Sequence, residues 1–120
     1  MAGSFCVSLT HAGEDPDRAT VAFVIANAAL GSEQETTVFL STEAVRLAVQ
    51  GAADGIHEDG FMPLGELMAN FASAGGTIWV CSPCFKKRGL DDTKLVPGAK
   101  IVGGALLVEL LSRGTPCISY

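Results

Sequence analysis

The stretch Gly75-Gly76-Thr77-Ile78-Trp79-Val80-Cys81-Ser82-Pro83-Cys84 decides the fold. Two glycines stop a helix, and the β-branched and aromatic run Thr77 to Val80 then reads as a buried strand. Ser82 can cap a new helix and Pro83 can occupy its first position, where no intrahelical N–H is needed. That short helix closes at Gly89, with Lys86, Lys87 and Arg88 near its end. A strand passing straight into a helix is the building step of a parallel sheet, and here it carries a Cys-x-x-Cys pair at the joint.

The same alternation extends outward. On the N-terminal side, Pro63 opens a helix in which Leu64, Leu67, Met68, Phe71 and Ala72 fall on one face; that periodicity reads as core packing rather than a cofactor box. Before it lies a polar, glycine-bearing loop, Gly51 to Gly60, with His57-Glu58-Asp59 near its tip. Thr36 to Leu40 reads as a strand, after which Ser41-Thr42 caps a short helix from Glu43 to Gln50. Asp15-Pro16 starts a longer helix that ends at Gly31, and its apolar residues cover more than one stripe. Ser4 to Leu9 forms the first strand, with Cys6 inside it as a small buried hydrophobe.

On the C-terminal side, a turn at Asp91-Asp92 leads to a strand around Lys100 to Val102, a helix from Gly103 to Arg113, and a terminal strand from Thr115 to Tyr120 that contains Cys117. Strands and helices alternate throughout, with no hairpin signal between two strand-like runs. The predicted class is α/β, a three-layer α/β/α sandwich around a mainly parallel five-stranded sheet. With 120 residues, the chain has room for one domain, residues 1–120.

Composition narrows the function. Apolar residues make up 48% and charged residues 18%, so apolar surface is left over for subunit contacts. The net charge of -5 argues against nucleic acid and against an anionic membrane surface. The longest apolar runs, Val21 to Leu30 and Ile101 to Leu111, fall short of the ~20 residues that cross a bilayer. Met1-Ala2-Gly3-Ser4 has no basic region leading into an apolar run, so no secretory signal is expected. The expected location is cytoplasmic, where a Cys-x-x-Cys is more often catalytic or metal-binding than a structural disulfide.

In an open parallel sheet, reactive groups collect beyond the carboxyl ends of the strands. Thr10-His11, Ser41-Thr42 and Cys81 all fall there, and Cys84 sits in the first turn of the helix that follows. A thiolate near a helix N-terminus has a depressed pKa and a larger reactive fraction. The cations at 86–88 add to this, or simply complement the helix C-terminus in solvent. His11 is a candidate base or sulfur-orienting group, beside its plainer reading as a turn residue next to Gly13. His57 reads as a solvated loop residue. A zinc site lacks a second close Cys or His pair, unless two subunits share it. Cys-Ser-Pro-Cys looks like a thioredoxin motif, yet its place after the third strand, with no hairpin beyond, disfavours that fold.

The arrangement resembles the DsrE/DsrF-like family, which includes sulfur-relay proteins of the DsrE and TusD type and proteins described as predicted peroxiredoxins. The resemblance spans nearly the whole chain: the opening strand and small-residue loop, the apolar first helix, the glycine pair before the third strand and the terminal strand. Its most specific part is the strand-end Cys81 followed by a short helix and Arg88-Gly89. It implies a flavodoxin-like architecture and a persulfide on Cys81 that accepts and passes on sulfane sulfur. It also implies sulfur-donor and sulfur-acceptor protein partners, and a homo-oligomer (trimer or hexamer) or hetero-oligomer.

Cys81 and Cys84 are thus the candidate catalytic residues, with Thr10, His11 and Arg88 as candidate substrate-binding residues. No cofactor and no metal are expected. Cys84 departs from relay subunits that need one cysteine, and a thiol so close can resolve a Cys81 persulfide or disulfide. A dithiol/disulfide reductase and a non-catalytic oligomeric binding module stay open as alternatives.

Overall fold

The structure, a computed structural model, describes residues 3–120; Met1 and Ala2, where the reading of a missing leader begins, lie outside the described residues. Five strands form one sheet: β1 (Ser4–Leu9), β2 (Glu35–Leu40), β3 (Thr77–Cys81), β4 (Ala99–Val102) and β5 (Cys117–Ser119). They run in the order β4-β3-β2-β1-β5, and every pairing is parallel. Parallel neighbours need crossovers, and these are α1 (Pro16–Gly31), α2 (Leu64–Ser73), α3 (Ser82–Lys87) and α4 (Gly104–Ser112). The predicted α/β sandwich with a five-stranded parallel sheet is the observed fold. Its strand order differs from the 2-1-3-4-5 of flavodoxin, although the layering is the same.

Strand alternation explains where the core sits. Val7 and Leu9, Val38 and Leu40, and Ile78 and Val80 share one sheet face because side chains two apart point the same way. Against them pack Ala19, Ala22, Phe23 and Ala26 of α1 and the stripe Leu64, Leu67, Met68 and Phe71 of α2. Phe23 and Phe71 meet edge to face, with centroids 5.8 Å apart and ring planes at 78°. Cys6, Phe39 and Val102 are buried too, on the intervening positions of the strands that point to the other face. The chain steps one way from β1 to β4 and then returns past β1 to β5. Right-handed crossovers therefore put α4 on the face opposite α1 and α2. No residue of α4 is buried.

Several boundaries moved from their sequence-based positions. Gly31 belongs to α1, and the reversal falls on Glu33, whose φ of 63° takes the left-handed place that glycine commonly fills after a helix. The helix expected over Glu43 to Gln50 is a 3-10 helix, Thr42–Ala48. Cap positions at α3 shift by one, with Cys81 as N-cap and Pro83 at the second helical position. The terminal strand is shorter than Thr115 to Tyr120, because β5 pairs with β1 only over Cys117–Ser119.

Candidate functional site

Cys81 is the last residue of β3, and Cys84 is the third residue of α3. Phe85, only 2% exposed, pins α3 to the core and fixes how its first turn meets the rim. Both thiols are free and half-buried. The acidity of each thiol depends on the other.

The 3-10 helix after β2 supplies the rest of the site. Thr42 has a φ of 51°, a left-handed conformation that is an outlier for a β-branched residue. Its hydroxyl donates to the Thr10 carbonyl at 2.7 Å, with the Ser41 carbonyl also near at 2.8 Å. Thr10 in turn donates through its backbone N–H and its hydroxyl to the Tyr120 carbonyl, each at 3.1 Å. The C-terminal ends of β1 and β2 and the residue after β5 are thereby tied into one rim.

Arg88 turns inward, with its side chain 14% exposed. Its Nε donates to Glu43 Oε2 at 2.7 Å and its terminal nitrogen to the Cys84 carbonyl at 3.1 Å. The other Glu43 oxygen accepts from Arg46 Nε at 2.8 Å. Arg88 therefore braces α3 against the 3-10 helix, whereas Lys86 and Lys87 are exposed.

These contacts split the two thiols electrostatically. The Cys84 pKa is lowered, chiefly by the Thr42 N–H and then, against a burial effect, by the Cys81 thiol and the charges of Arg88 and Lys87. Burial pushes the Cys81 pKa up; the Cys84 N–H opposes this, and the neighbouring Cys84 sulfur reinforces it. The two acidities are thus shifted in opposite directions, Cys84 down and Cys81 up.

Of the predicted site residues, the structure brings Cys81, Cys84, Arg88 and, through Thr42, Thr10 together. His11 is engaged elsewhere: its Nδ1 lies 2.6 Å from Glu14 Oε2, and Glu14 also accepts from the Ala12 N–H. That group orders the loop after β1. His57 donates through Nε2 to the Phe61 carbonyl at 2.7 Å. Sequence reasoning placed Ser41-Thr42 on the rim as a helix cap and missed the Glu43 and Arg46 pairing. Arg88 and Glu43 are 45 positions apart, so no local spacing signals the contact.

Among the described residues no group of three or more His, Cys, Asp or Glu side chains could hold a metal ion. A zinc ion on one chain would have only the Cys81–Cys84 pair. An apolar cavity of about 130 Å³ lies between α2 and the loops at Val49–Asp54 and Val96–Pro97, and neither of the paired cysteines lines it. Cys6 and Cys117 are register partners on β1 and β5, away from the rim. Burial pushes the Cys6 thiol up to about 12.

Comparison with known proteins gives a consistent picture. The sequence matches the DsrE/DsrF-like family over residues 3–120. It is 32% identical over 116 residues to the uncharacterized protein MJ0989 of Methanocaldococcus jannaschii, covering 97% of this chain and 98% of that one. It is 29% identical over 109 residues to MJ0760 of the same organism, covering 91% of this chain but only 39% of that longer protein. Among solved structures, the ychN protein of E. coli superposes with a TM-score of 0.83 at 14% identity, covering 98% of this chain and 99% of that one. MTH1491 of Methanobacterium thermoautotrophicum, a protein of unknown function, superposes with a TM-score of 0.75 at 14% identity, covering 98% and 100%. At such identities the superpositions speak for the fold alone.

Proposed function

Because the chain belongs to the DsrE/DsrF-like family, and because that membership suggests a role related to sulfur relay, we infer that this protein accepts and transfers sulfane sulfur at the Cys81–Cys84 pair. The observation that carries the reading is the pair of free, half-buried thiols at the open end of a parallel sheet, with their acidities shifted in opposite directions. Proton transfer from Cys81 to Cys84 frees the Cys81 thiolate. That thiolate attacks the terminal sulfur of a persulfide donor, forming Cys81–S–SH and releasing the donor as its thiolate. An acceptor thiolate then attacks the same outer sulfur, takes it as its own persulfide and returns Cys81 as thiolate.

Cys84 provides a second exit. Once Cys84 has passed its proton to the departing donor thiolate, the Cys84 thiolate attacks the inner sulfur of the Cys81 persulfide, forms the Cys81–Cys84 disulfide and releases hydrosulfide, and a thiol reductant must then restore the pair. The proximity of the two sulfurs supports this branch. Arg88 serves here as a brace for α3 rather than as a substrate ligand, because Glu43 and the Cys84 carbonyl occupy it.

The donor and acceptor are proteins in this reading, since the dithiol stands on a rim that a protein surface can reach. Self-association fits α4, where Val108 is 65% and Leu106 39% exposed on a helix of mostly apolar residues. No helix among the described residues is long and apolar enough to cross a membrane, and the thiols suit a reducing cytoplasm.

The test is persulfide trapping. The protein is exposed to glutathione persulfide, alkylated and digested with trypsin, which leaves Cys81 and Cys84 together in the peptide Leu47–Lys86. A peptide carrying one additional sulfur in wild type and in C84S, but not in C81S, supports the assignment. Accessible, reduced thiols that gain no sulfur overturn it.

A further inference from the structure

The chemistry at the rim leaves Cys6 and Cys117 unused. Cys6 on β1 and Cys117 on β5 are direct register partners in neighbouring parallel strands. Side chains at such positions point to the same face of the sheet, and neighbouring strands lie about 4.8 Å apart. That spacing falls within the roughly 4.4–6.8 Å between Cα atoms that a disulfide spans. The register is fixed on both sides of the pair. Before it, the Ser4 and Thr115 hydroxyls hydrogen-bond at 2.7 Å, and the Cys6 N–H donates to the Pro116 carbonyl at 2.9 Å. After it, the Tyr120 N–H donates to the Ser8 carbonyl at 2.8 Å. A slip of one residue would turn Cys117 to the opposite face, and these bonds oppose it.

The two thiols differ in access. β5 is an edge strand and Cys117 is exposed on it, whereas Cys6 lies one strand further in and is fully buried. A reagent from solution therefore meets Cys117 first, with a second thiol in register directly behind it.

We propose that Cys6 and Cys117 form a second redox site, separate from the rim, at which a low-molecular-weight disulfide such as oxidised glutathione closes a reversible cross-strand disulfide between β1 and β5. The Cys117 thiolate attacks one sulfur of the glutathione disulfide and forms a mixed disulfide. The glutathione thiolate released takes up the proton that Cys117 gave to solvent. The Cys6 sulfur then attacks the Cys117 sulfur, and its proton passes to the departing second glutathione. Two protein thiols are thereby oxidised to one disulfide, and one glutathione disulfide is reduced to two glutathione thiols. Burial keeps Cys6 in its neutral form, so Cys117 begins the reaction and Cys6 completes it. The new bond fastens β5, which otherwise pairs with β1 over Cys117–Ser119 alone. It also closes nearly the whole chain into one loop, and so long a loop restricts the unfolded state strongly.

The experiment treats the full chain carrying C81S and C84S with oxidised glutathione, so that the rim pair takes no part. The expected product is a monomer lighter by two hydrogens. Its tryptic digest, made without reductant, joins the peptide ending at Arg18 to Gly114–Tyr120, and dithiothreitol restores both free peptides. The same linked peptides are expected from wild type. Adding C6A stops the reaction with glutathione on Cys117, and adding C117S leaves Cys6 unmodified. The oxidised monomer should melt higher than the reduced one by about 10 °C. Glutathione that stays on Cys117 while Cys6 remains a free thiol overturns the proposal. So does a product linking Cys117 to Cys117 between chains, or an oxidised monomer that melts no higher than the reduced one. None of these results depends on whether Cys81 accepts sulfur.

Discussion

Gly76 immediately precedes β3, and replacing it with alanine tests how tightly the strand that presents Cys81 is seated. A Cβ built at Gly76 falls 2.4 Å from Phe71 Cζ and 2.5 Å from both Cε atoms, far inside van der Waals contact. Phe71 is fully buried, so its ring has no free space to retreat into. It is held from another side by Phe23 at 5.8 Å, in an edge-to-face pair that any tilt disturbs. Overpacking of this kind costs about 1–3 kcal/mol, and loss of the aromatic geometry adds about 0.5–1.5 kcal/mol. Against this, alanine reduces the freedom of the unfolded chain and returns about 0.4–1 kcal/mol. The net loss is about 2 kcal/mol, which for a chain of this size lowers Tm by roughly 8 °C. The assay is thermal and urea unfolding of G76A, F71L and G76A/F71L. The smaller leucine makes room for the methyl, so the double mutant should be more stable than the sum of the singles by about 1 kcal/mol. G76A as stable as the parent, or strict additivity in the cycle, would refute the packing account of this glycine.

Glu43→Gln weakens both arginine contacts. Arg88 and Arg46 hold the Glu43 pKa below its ordinary 4.5. Their stabilisation is therefore present above that value and lost as pH falls through the lowered folded pKa, so E43Q should flatten the acid limb of a Tm-against-pH curve. Cys6, pushed from 9.0 up to about 12, acts in the opposite sense. Its neutral thiol suits the folded state, and stability should fall as pH rises from about 9 towards 12; Cys6→Ala should reduce that slope in urea titrations. In native alkylation, exposed Cys117 should react while fully buried Cys6 stays protected. Val108→Asp puts a charge on the 65% exposed position of α4. The self-association proposed for α4 predicts an unchanged circular dichroism spectrum and a light-scattering mass shifted towards the monomer, and an unchanged mass would contradict it.

The fold was legible because its signals were local. The α2 stripe at Leu64, Leu67, Met68 and Phe71 is buried as its spacing requires, and the run Thr77 to Val80 is a strand, extended by one residue to Cys81. Boundaries were less legible where two residue types can do the same job. Gly31 looked like a helix stop, yet Glu33 makes the reversal. The sequence also placed the cysteine pair and three strand ends on one rim. It did not reveal that the two acidities shift in opposite directions, because the Cys84 shift depends chiefly on the backbone of Thr42, a residue 42 positions away. Nor did it separate Arg88 from Lys86 and Lys87: the three are neighbours in sequence, and only Arg88 folds inward onto Glu43.

The central claim is that Cys81 holds sulfane sulfur while Cys84 serves as its proton acceptor and resolving thiol. The most direct measurement is the mass of the Leu47–Lys86 peptide after exposure to glutathione persulfide, followed over time in wild type, C81S and C84S. The account predicts a peptide with one added sulfur that decays to the disulfide and hydrosulfide in wild type, persists in C84S and does not form in C81S. Sulfur loading of C81S equal to that of wild type would contradict it.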